Sequence, residues 1–351
     1  MTLLLRALRR LAPGVRDEVV VPSYTCYSVG ASVVKAGLKL RVVDICEDTL
    51  DYASDALQSM DLSRTLAIVA TNLYGLPNDM ASLSALARRN GAFLIDDAAQ
   101  AMGASFDGRW CGTWGDAGLF SFDKGKNVSA IDGGLIVTNS DDVAEAMRAE
   151  LAGCQSAGLM SSGVHVAKAL AYFTMLRPSL YSIPTRIPQL ALGKTVYDTE
   201  FPLHQADSVL MALGLVMMRR LDEFTNARRA NAAALLAGLK SMSGVASIAP
   251  RARAVPVYLR LPVLFSNGPA RDAALQELTA AGIGASGSYP GSLVDVPQLR
   301  SAIVNPADSA SGGRQVARRI ATLPTHPFVT SKDVARTLDV IQRGNSTACA
   351  A

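Results

Sequence analysis

The chain has 351 residues, 49% of them hydrophobic, and a formal net charge of +4. That length fits about two domains with a sizeable core, and the scattered Lys and Arg form no basic stripe with interleaved aromatics, so a nucleic-acid surface is not expected. Five cysteines and three histidines stand far apart without a Cys-x-x-Cys pair. Neither a disulfide framework nor a metal site is expected, and a reducing, cytoplasmic setting is.

Residues 2–11 read as a helix ended by Pro13-Gly14, with no small-residue cleavage site that would mark a signal peptide. Residues 18–21 form a short apolar strand stopped by Pro22-Ser23. Residues 27–36 suit a helix closed by Gly37, and residues 38–43 alternate like a strand that exits at Asp44. Residues 65–71 are a continuous apolar strand, and a loop then brings Asp79 to the N-cap of a helix over 80–89, stopped by Asn90-Gly91. Residues 92–95 are the next strand. Strands alternating with helices predict a parallel sheet covered on both faces, with ligands at the carboxyl ends of its strands. Asp44, Asn72, Asp97 and Ser121 all follow strand ends. So do many ordinary polar residues, and the position alone decides little.

Further strands are expected at 118–122 and 134–138, and a helix at 141–151 capped by Ser140 or Asp141. Between 154 and 201 no period holds. Within that region residues 164–183 are apolar, but Lys168, Arg177 and Pro178 interrupt them, so the stretch is too broken to span a bilayer. It reads as a buried or interface helix in preference to a membrane-surface one. Residues 205–239 read as one long helix, 255–263 as a strand, 269–281 as a helix followed by Gly282, and 331–343 as a last helix. The division expected is a large α/β domain over 1–204, then a connecting helix and a smaller α+β domain over 205–351.

Gly282-Ile283-Gly284-Ala285-Ser286-Gly287 matches a dinucleotide-type glycine pattern. It follows a helix and opens no strand–helix–strand unit, so it reads as a helix C-cap. No P-loop, His-Glu-x-x-His or Gly-x-Ser-x-Gly motif occurs. Asp96-Asp97 is more informative. A carboxylate at a strand exit, a hydroxyl at Ser121 and a lysine at Lys124 or Lys126 are the groups that pyridoxal 5'-phosphate (PLP) requires. The acid holds the pyridine nitrogen protonated, the lysine condenses with the aldehyde, and the hydroxyl with backbone N–H groups binds the phosphate. Spacing does not choose between the two lysines.

Several stretches in order resemble the DegT/DnrJ/StrS-type family of PLP-dependent sugar aminotransferases. Asp17 to Thr25 (DEVVVPSYT) resembles the family's GDEVIVPSYT, Tyr74 to Met80 its YGxPxDM, and Ile95 to Ala101 its EDAAQA. Phe120-Ser121-Phe122 with Lys126-Asn127 resembles FSFxxxKN, Asp132-Gly133-Gly134 with Thr138-Asn139 resembles GDGGxxxTN, and Leu323 to Pro327 resembles LPxHP. The resemblance runs from about residue 4 to 341. It implies a fold-type-I α/β transferase with a mostly parallel seven-stranded sheet, a smaller C-terminal α+β domain, and a homodimer with shared active sites. It also implies that Lys126 is the Schiff-base lysine, Asp97 the pyridine-nitrogen partner, Gln100 a ring contact and Ser121 a phosphate ligand. The reaction implied moves an amino group from glutamate or glutamine to a keto-sugar carried on a nucleotide, in polysaccharide or secondary-metabolite sugar biosynthesis.

Three departures accompany it. The family's phosphate-binding Gly-Thr turn would precede Met1, so a start further upstream is expected. The position of the aromatic ring that stacks on the cofactor holds Cys26, with Tyr27 beside it. The family's Asn-x-Arg element has no clear counterpart near 202–207, and the region before it is apolar, which bears on the sugar recognised. The alternative function is a degenerate PLP-binding or regulatory member without full transaminase activity.

Overall fold

The computed structural model describes residues 1–156, 158–175, 198–305 and 310–348. The first half runs α1 (Thr2–Leu11), β1 (Glu18–Pro22), α2 (Tyr27–Lys35), β2 (Lys39–Val43), α3 (Ser54–Gln58), β3 (Thr65–Thr71), α4 (Met80–Arg89), β4 (Phe93–Asp97), a small hairpin of β5 (Ser105–Phe106) and β6 (Arg109–Trp110), β7 (Ala117–Ser121), β8 (Gly134–Val137) and α5 (Asp141–Ala152). β3 is buried at every position, as a strand covered on both faces must be. The main sheet has the order β2-β1-β3-β4-β7-β8, parallel except for β8. The seven strands implied by the family resemblance are six among the described residues.

Alternation along the strands sorts side chains to the two faces. Val19, Val21, Leu40 and Val42 join α1, α2 and α5 on one side. Val20, Ile68, Ala70 and Leu94 join α3 and α4 on the other. Asp79 caps α4 as expected, accepting from Ser82 N–H, and Ser140 caps α5. The register pairs Thr71 with Asp97 and Asp97 with Leu119. The carboxyl ends of β3, β4 and β7 therefore meet along one edge.

The second half contains α6 (Leu159–Met175), α7 (Ser208–Met218), α8 (Leu221–Leu239), β9 (Val245–Ser247), β10 (Ala254–Val255), β11 (Leu261–Phe265), α9 (Gly268–Ala280), α10 (Ser311–Arg319), β12 (Ile320–Leu323) and α11 (Ser331–Ala348). An antiparallel sheet β12-β11-β9 packs with α8, α9 and α11 through Leu235, Leu239, Val263, Leu278 and Ile341. Leu293, Val294, Val296, Leu299 and Ala310 return to the large sheet and bury against α2 and β2. Next to them, Val304 N–H donates to Leu40 O, and the Asn305 amide bonds both the N–H and the C=O of Val42. These contacts close the outer edge of β2.

Three sequence expectations change in detail. The helix expected over 205–239 breaks at Arg219-Arg220. There Asp222 and Glu223 begin a new first turn, where acids are favourable, and Arg220 pairs with Glu223. The strand expected over 255–263 is two strands, because Val257 and Leu259 N–H groups donate to Gly75 O and Tyr74 O instead of to a sheet neighbour. The apolar stretch at 164–183 is described only to Met175. There α6 is not buried: Val164, Val166, Leu170 and Phe173 are exposed. Among the described residues no helix is long and apolar enough to cross a membrane. Gly282 ends α9 with φ +71°, as a C-cap glycine does.

Candidate active site

β4 ends in two adjacent acids that point to opposite sides. Asp96 is fully buried and spent on the protein: Oδ1 accepts from Asn72 Nδ2 at 2.9 Å, and Oδ2 accepts from the N–H groups of Gly112 and Trp114 at 2.6 and 3.1 Å. Burial pushes its carboxyl up to about 6 against those three bonds. Asp97 is also buried, but among the described residues its side chain accepts a single hydrogen bond, from Ala99 N–H to Oδ1 at 3.0 Å. Burial raises its pKa, opposed by the Ala99 N–H and by the charge of Lys126.

Ser121 ends the adjacent strand β7, with its Oγ accepting from Asp123 N–H at 3.3 Å. The chain then makes a turn exposed at Asp123, Lys124 and Gly125, closed by Lys126 N–H to Asp123 O at 3.2 Å. Lys126 is half-buried and Asn127 is buried. Lys126, not Lys124, is the side-chain cation whose field acts on Asp97.

Gln100 lies in the turn after β4. Its Oε1 accepts from Tyr74 N–H at 2.7 Å and its Nε2 donates to the Tyr289 hydroxyl at 2.8 Å. Tyr74 holds a positive φ of 56°, a conformation costly for a bulky residue and sustained by the surrounding contacts. Cys26 stands at the N-cap of α2, half-buried, with Sγ accepting from the Ser28 hydroxyl at 3.0 Å. Tyr27 is buried and stacks on Tyr289, with ring centroids 6.3 Å apart and planes 30° apart. Tyr24 meets Tyr289 edge-on at 5.7 Å, and Tyr74 hydroxyl lies 2.5 Å from Ser288 Oγ.

The sequence pattern does not reveal this second wall: neither Ser288 nor Tyr289 stands out in it. Asn72 is legible in sequence only as a strand exit, yet its amide bonds Asp96 and the Asp97 carbonyl and accepts from Asn78 N–H. A Tyr-Pro pair soon after the Gly282 stop is the only local signal for Tyr289, because its partner Gln100 is 189 residues away.

A buried carboxylate bonded once, a lysine within its field and a hydroxyl at the next strand end form the donor set a pyridoxal phosphate ring takes. On this doubly wound sheet with a small antiparallel lobe, the class is that of the PLP-dependent transferases. The chain belongs to the DegT/DnrJ/EryC1/StrS aminotransferase family, whose model matches residues 1–342. It is 28% identical over 337 residues to a dTDP-3-amino-3,4,6-trideoxy-α-D-glucose transaminase of Streptomyces venezuelae, covering 96% of this chain and 78% of that protein. Over 143 residues it is 38% identical to a pleiotropic regulatory protein of Geobacillus stearothermophilus, covering 40% of this chain and 38% of the relative. Over 146 residues it is 38% identical to a UDP-N-acetyl-3-dehydro-α-D-glucosamine 3-aminotransferase of Acidithiobacillus ferrooxidans, covering 41% of this chain. The chain thus spans 38% and 40% of the length of these last two. The crystal structure of S. venezuelae DesV with a ketimine intermediate superposes with a TM-score of 0.75 at 27% identity, over 97% of this chain and 81% of that one. The fold is shared too with the putative sugar aminotransferase Spr1654 of Streptococcus pneumoniae in its PMP form, at TM-score 0.77 and 19% identity, over 99% of this chain and 86% of that one.

Proposed function

We propose that this chain is a PLP-dependent aminotransferase that transfers an amino group from glutamate or glutamine to a nucleotide-linked keto-sugar. The observation that carries the reading is the pairing of Asp97, with its single hydrogen bond, and the nearby Lys126 at the exits of neighbouring strands. The family and the sugar-nucleotide transaminases similar to the chain support it. Bound PLP supplies the electron sink for proton removal at the amino acid's α-carbon. Lys126 would provide the amine that holds the cofactor's aldehyde, and the same amine, when free, would be the group placed to take and return a proton at the amino acid's α-carbon. Asp97 would pair with the pyridine nitrogen, and Lys126 offsets part of the cost of burying its charge. Tyr74 and Tyr289 fix the Gln100 amide, which would contact the ring, Ser121 would bind the phosphate, and Cys26 with Tyr27 would stand in the place of the stacking residue. The large lobe over 1–204 carries these groups, and the lobe over 205–351 brings Tyr289 to them. A cytoplasmic homodimer with shared sites completes the proposal.

Borohydride fixation tests it. PLP added to the purified protein is expected to give a yellow absorbance, and reduction is expected to leave a pyridoxyl mass on the peptide carrying Lys126. Lys126→Ala loses the label and Lys124→Ala keeps it. A label that survives Lys126→Ala refutes the lysine assignment. A label that forms normally while glutamate leaves the absorbance unchanged identifies a PLP-binding protein without transaminase turnover.

A further inference from the structure

Lys126 lies on a turn whose preceding three residues are exposed. What fixes it is the residue that follows. Asn127 is only 5% exposed. Its Nδ2 donates to Met102 O and to Thr225 Oγ1, both at 3.0 Å, and its Oδ1 accepts from Arg228 Nε at 2.8 Å. Thr225 and Arg228 are one turn apart on α8. Arg228 is 7% exposed, and its Nη1 donates to Leu259 O at 2.7 Å and reaches Thr325 Oγ1 at 3.4 Å. None of these acceptors is a carboxylate.

A guanidinium buried among neutral acceptors is costly, and an apolar side chain of similar volume would fill the space more cheaply. The fork geometry offers a reason for its presence. One edge holds the neighbour of the lysine while the other holds the small-lobe residues Leu259 and Thr325, a pairing that lysine, with its single ammonium, cannot reproduce. We infer that Arg228 is a positioning residue: acting through Asn127, it fixes the backbone of Lys126 and ties the reach of that lysine to the seating of the small lobe. The inference rests on the reading of Lys126 under the proposed function. Arg229 is the natural control. It is the next residue on α8 and makes comparable bonds, to Pro256 O at 2.8 Å and Gly103 O at 3.0 Å, but among the described residues it makes no hydrogen bond to Asn127.

The test compares wild type, Arg228→Met, Arg228→Lys, Asn127→Ala, the Arg228→Met/Asn127→Ala double variant and Arg229→Met. The probe is PLP itself. The readouts are the rate at which borohydride-fixable label appears on Lys126 and the pH midpoint of the yellow absorbance. Amide exchange across residues 123–130 is also followed in cofactor-free protein. Losing a charge-assisted bond predicts capture slowed on the order of tenfold or more in Arg228→Met and Asn127→Ala, with a moved pH midpoint and faster exchange. Arg228→Lys is not rescued, and the double variant is no slower than the slower single one, because both remove one link. Arg229→Met captures PLP at the wild-type rate even where its melting temperature falls. Arg228→Met behaving like Arg229→Met, or single effects that multiply in the double variant, overturns the inference. Should Arg228→Met not fold, Asn127→Ala decides alone, since it leaves the bonds of Arg228 to Leu259 and Thr325 in place. Wild-type protein that never labels at Lys126 overturns both the proposed function and this inference, whereas normal wild-type labelling with unaffected variants overturns this one only.

Discussion

Replacing Asp96 by asparagine tests the electrostatics beneath the site. Asp96 is fully buried, and its carboxyl is raised from 3.8 to about 6, chiefly by loss of water. A folded-state pKa above the unfolded value means that the native state holds the proton more tightly. The stability this group contributes is therefore fully present below about pH 4 and is lost as the pH rises through about 6. At ~1.4 kcal/mol per unit, a rise of about two units corresponds to about 3 kcal/mol. Asparagine does not titrate and keeps an oxygen for the Gly112 and Trp114 N–H groups. Its own amide then faces Asn72 Nδ2, which adds a penalty of about 1–2 kcal/mol that does not vary with pH. Urea unfolding of both proteins at steps between about pH 4 and pH 7 reads the difference, in which all other groups cancel. The stability of wild type relative to the variant is expected to drop by about 2–3 kcal/mol across that window, most steeply near pH 5, midway between the unfolded and folded values. A difference that is flat with pH refutes the view that Asp96 is carried as a costly buried carboxylate.

His326 should show the opposite slope. Among the described residues its buried Nδ1 has no hydrogen-bond partner, and burial, then the charges of Arg228 and Arg260, lower its pKa from 6.5 to about 4. The stability it contributes is present above pH 6.5 and is lost as the pH falls through about 4, so His326→Asn should lose less stability than wild type between neutral and acid pH in the same assay. Gly118→Ala probes the register that brings Asp96 and Asp97 to the edge. A Cβ there would lie 1.7 Å from Gly112 O, and the backbone conflict is expected to cost more than about 4 kcal/mol, read as loss of the cooperative melt. A near-native melting temperature would mean that β4 and β7 pair differently.

The site's first wall was legible because it is local. The apolar run before Asp96-Asp97 ends where the strand ends, and Asp79 announces α4 by sitting three residues before the Ser82 N–H it accepts. The family resemblance already singles out Asp97 of the two acids, and the physical reason lies in the strand's alternation and the Gly112–Trp114 loop that consumes Asp96. Asp44 shows the limit of the strand-exit rule. It exits β2 just as Asp97 exits β4, yet its carboxylate accepts from Ser23, Ser311 and the N–H groups of Gly312 and Gly313, and so caps α10. Tyr289 and Arg228 were illegible for the same reason. The partners that give them meaning lie 189 and 101 residues away, and no periodicity carries that distance.

The closure of β2 also sets an order of events during synthesis. The exposed margin of a sheet is a template for any other extended chain. Here the strand at that margin ends at Val43, while the residues that occupy its free backbone groups are Val304 and Asn305. At about 5–20 residues per second, a ribosome leaves that margin open for tens of seconds after the strand itself has emerged. Over that interval the nascent chain presents both an adhesive border and the apolar underside of α2 that Leu293 and Leu299 later cover. Until residues 293–305 arrive, the nascent sheet therefore keeps an open border and an uncovered apolar face, both of which favour pairing with other extended chains.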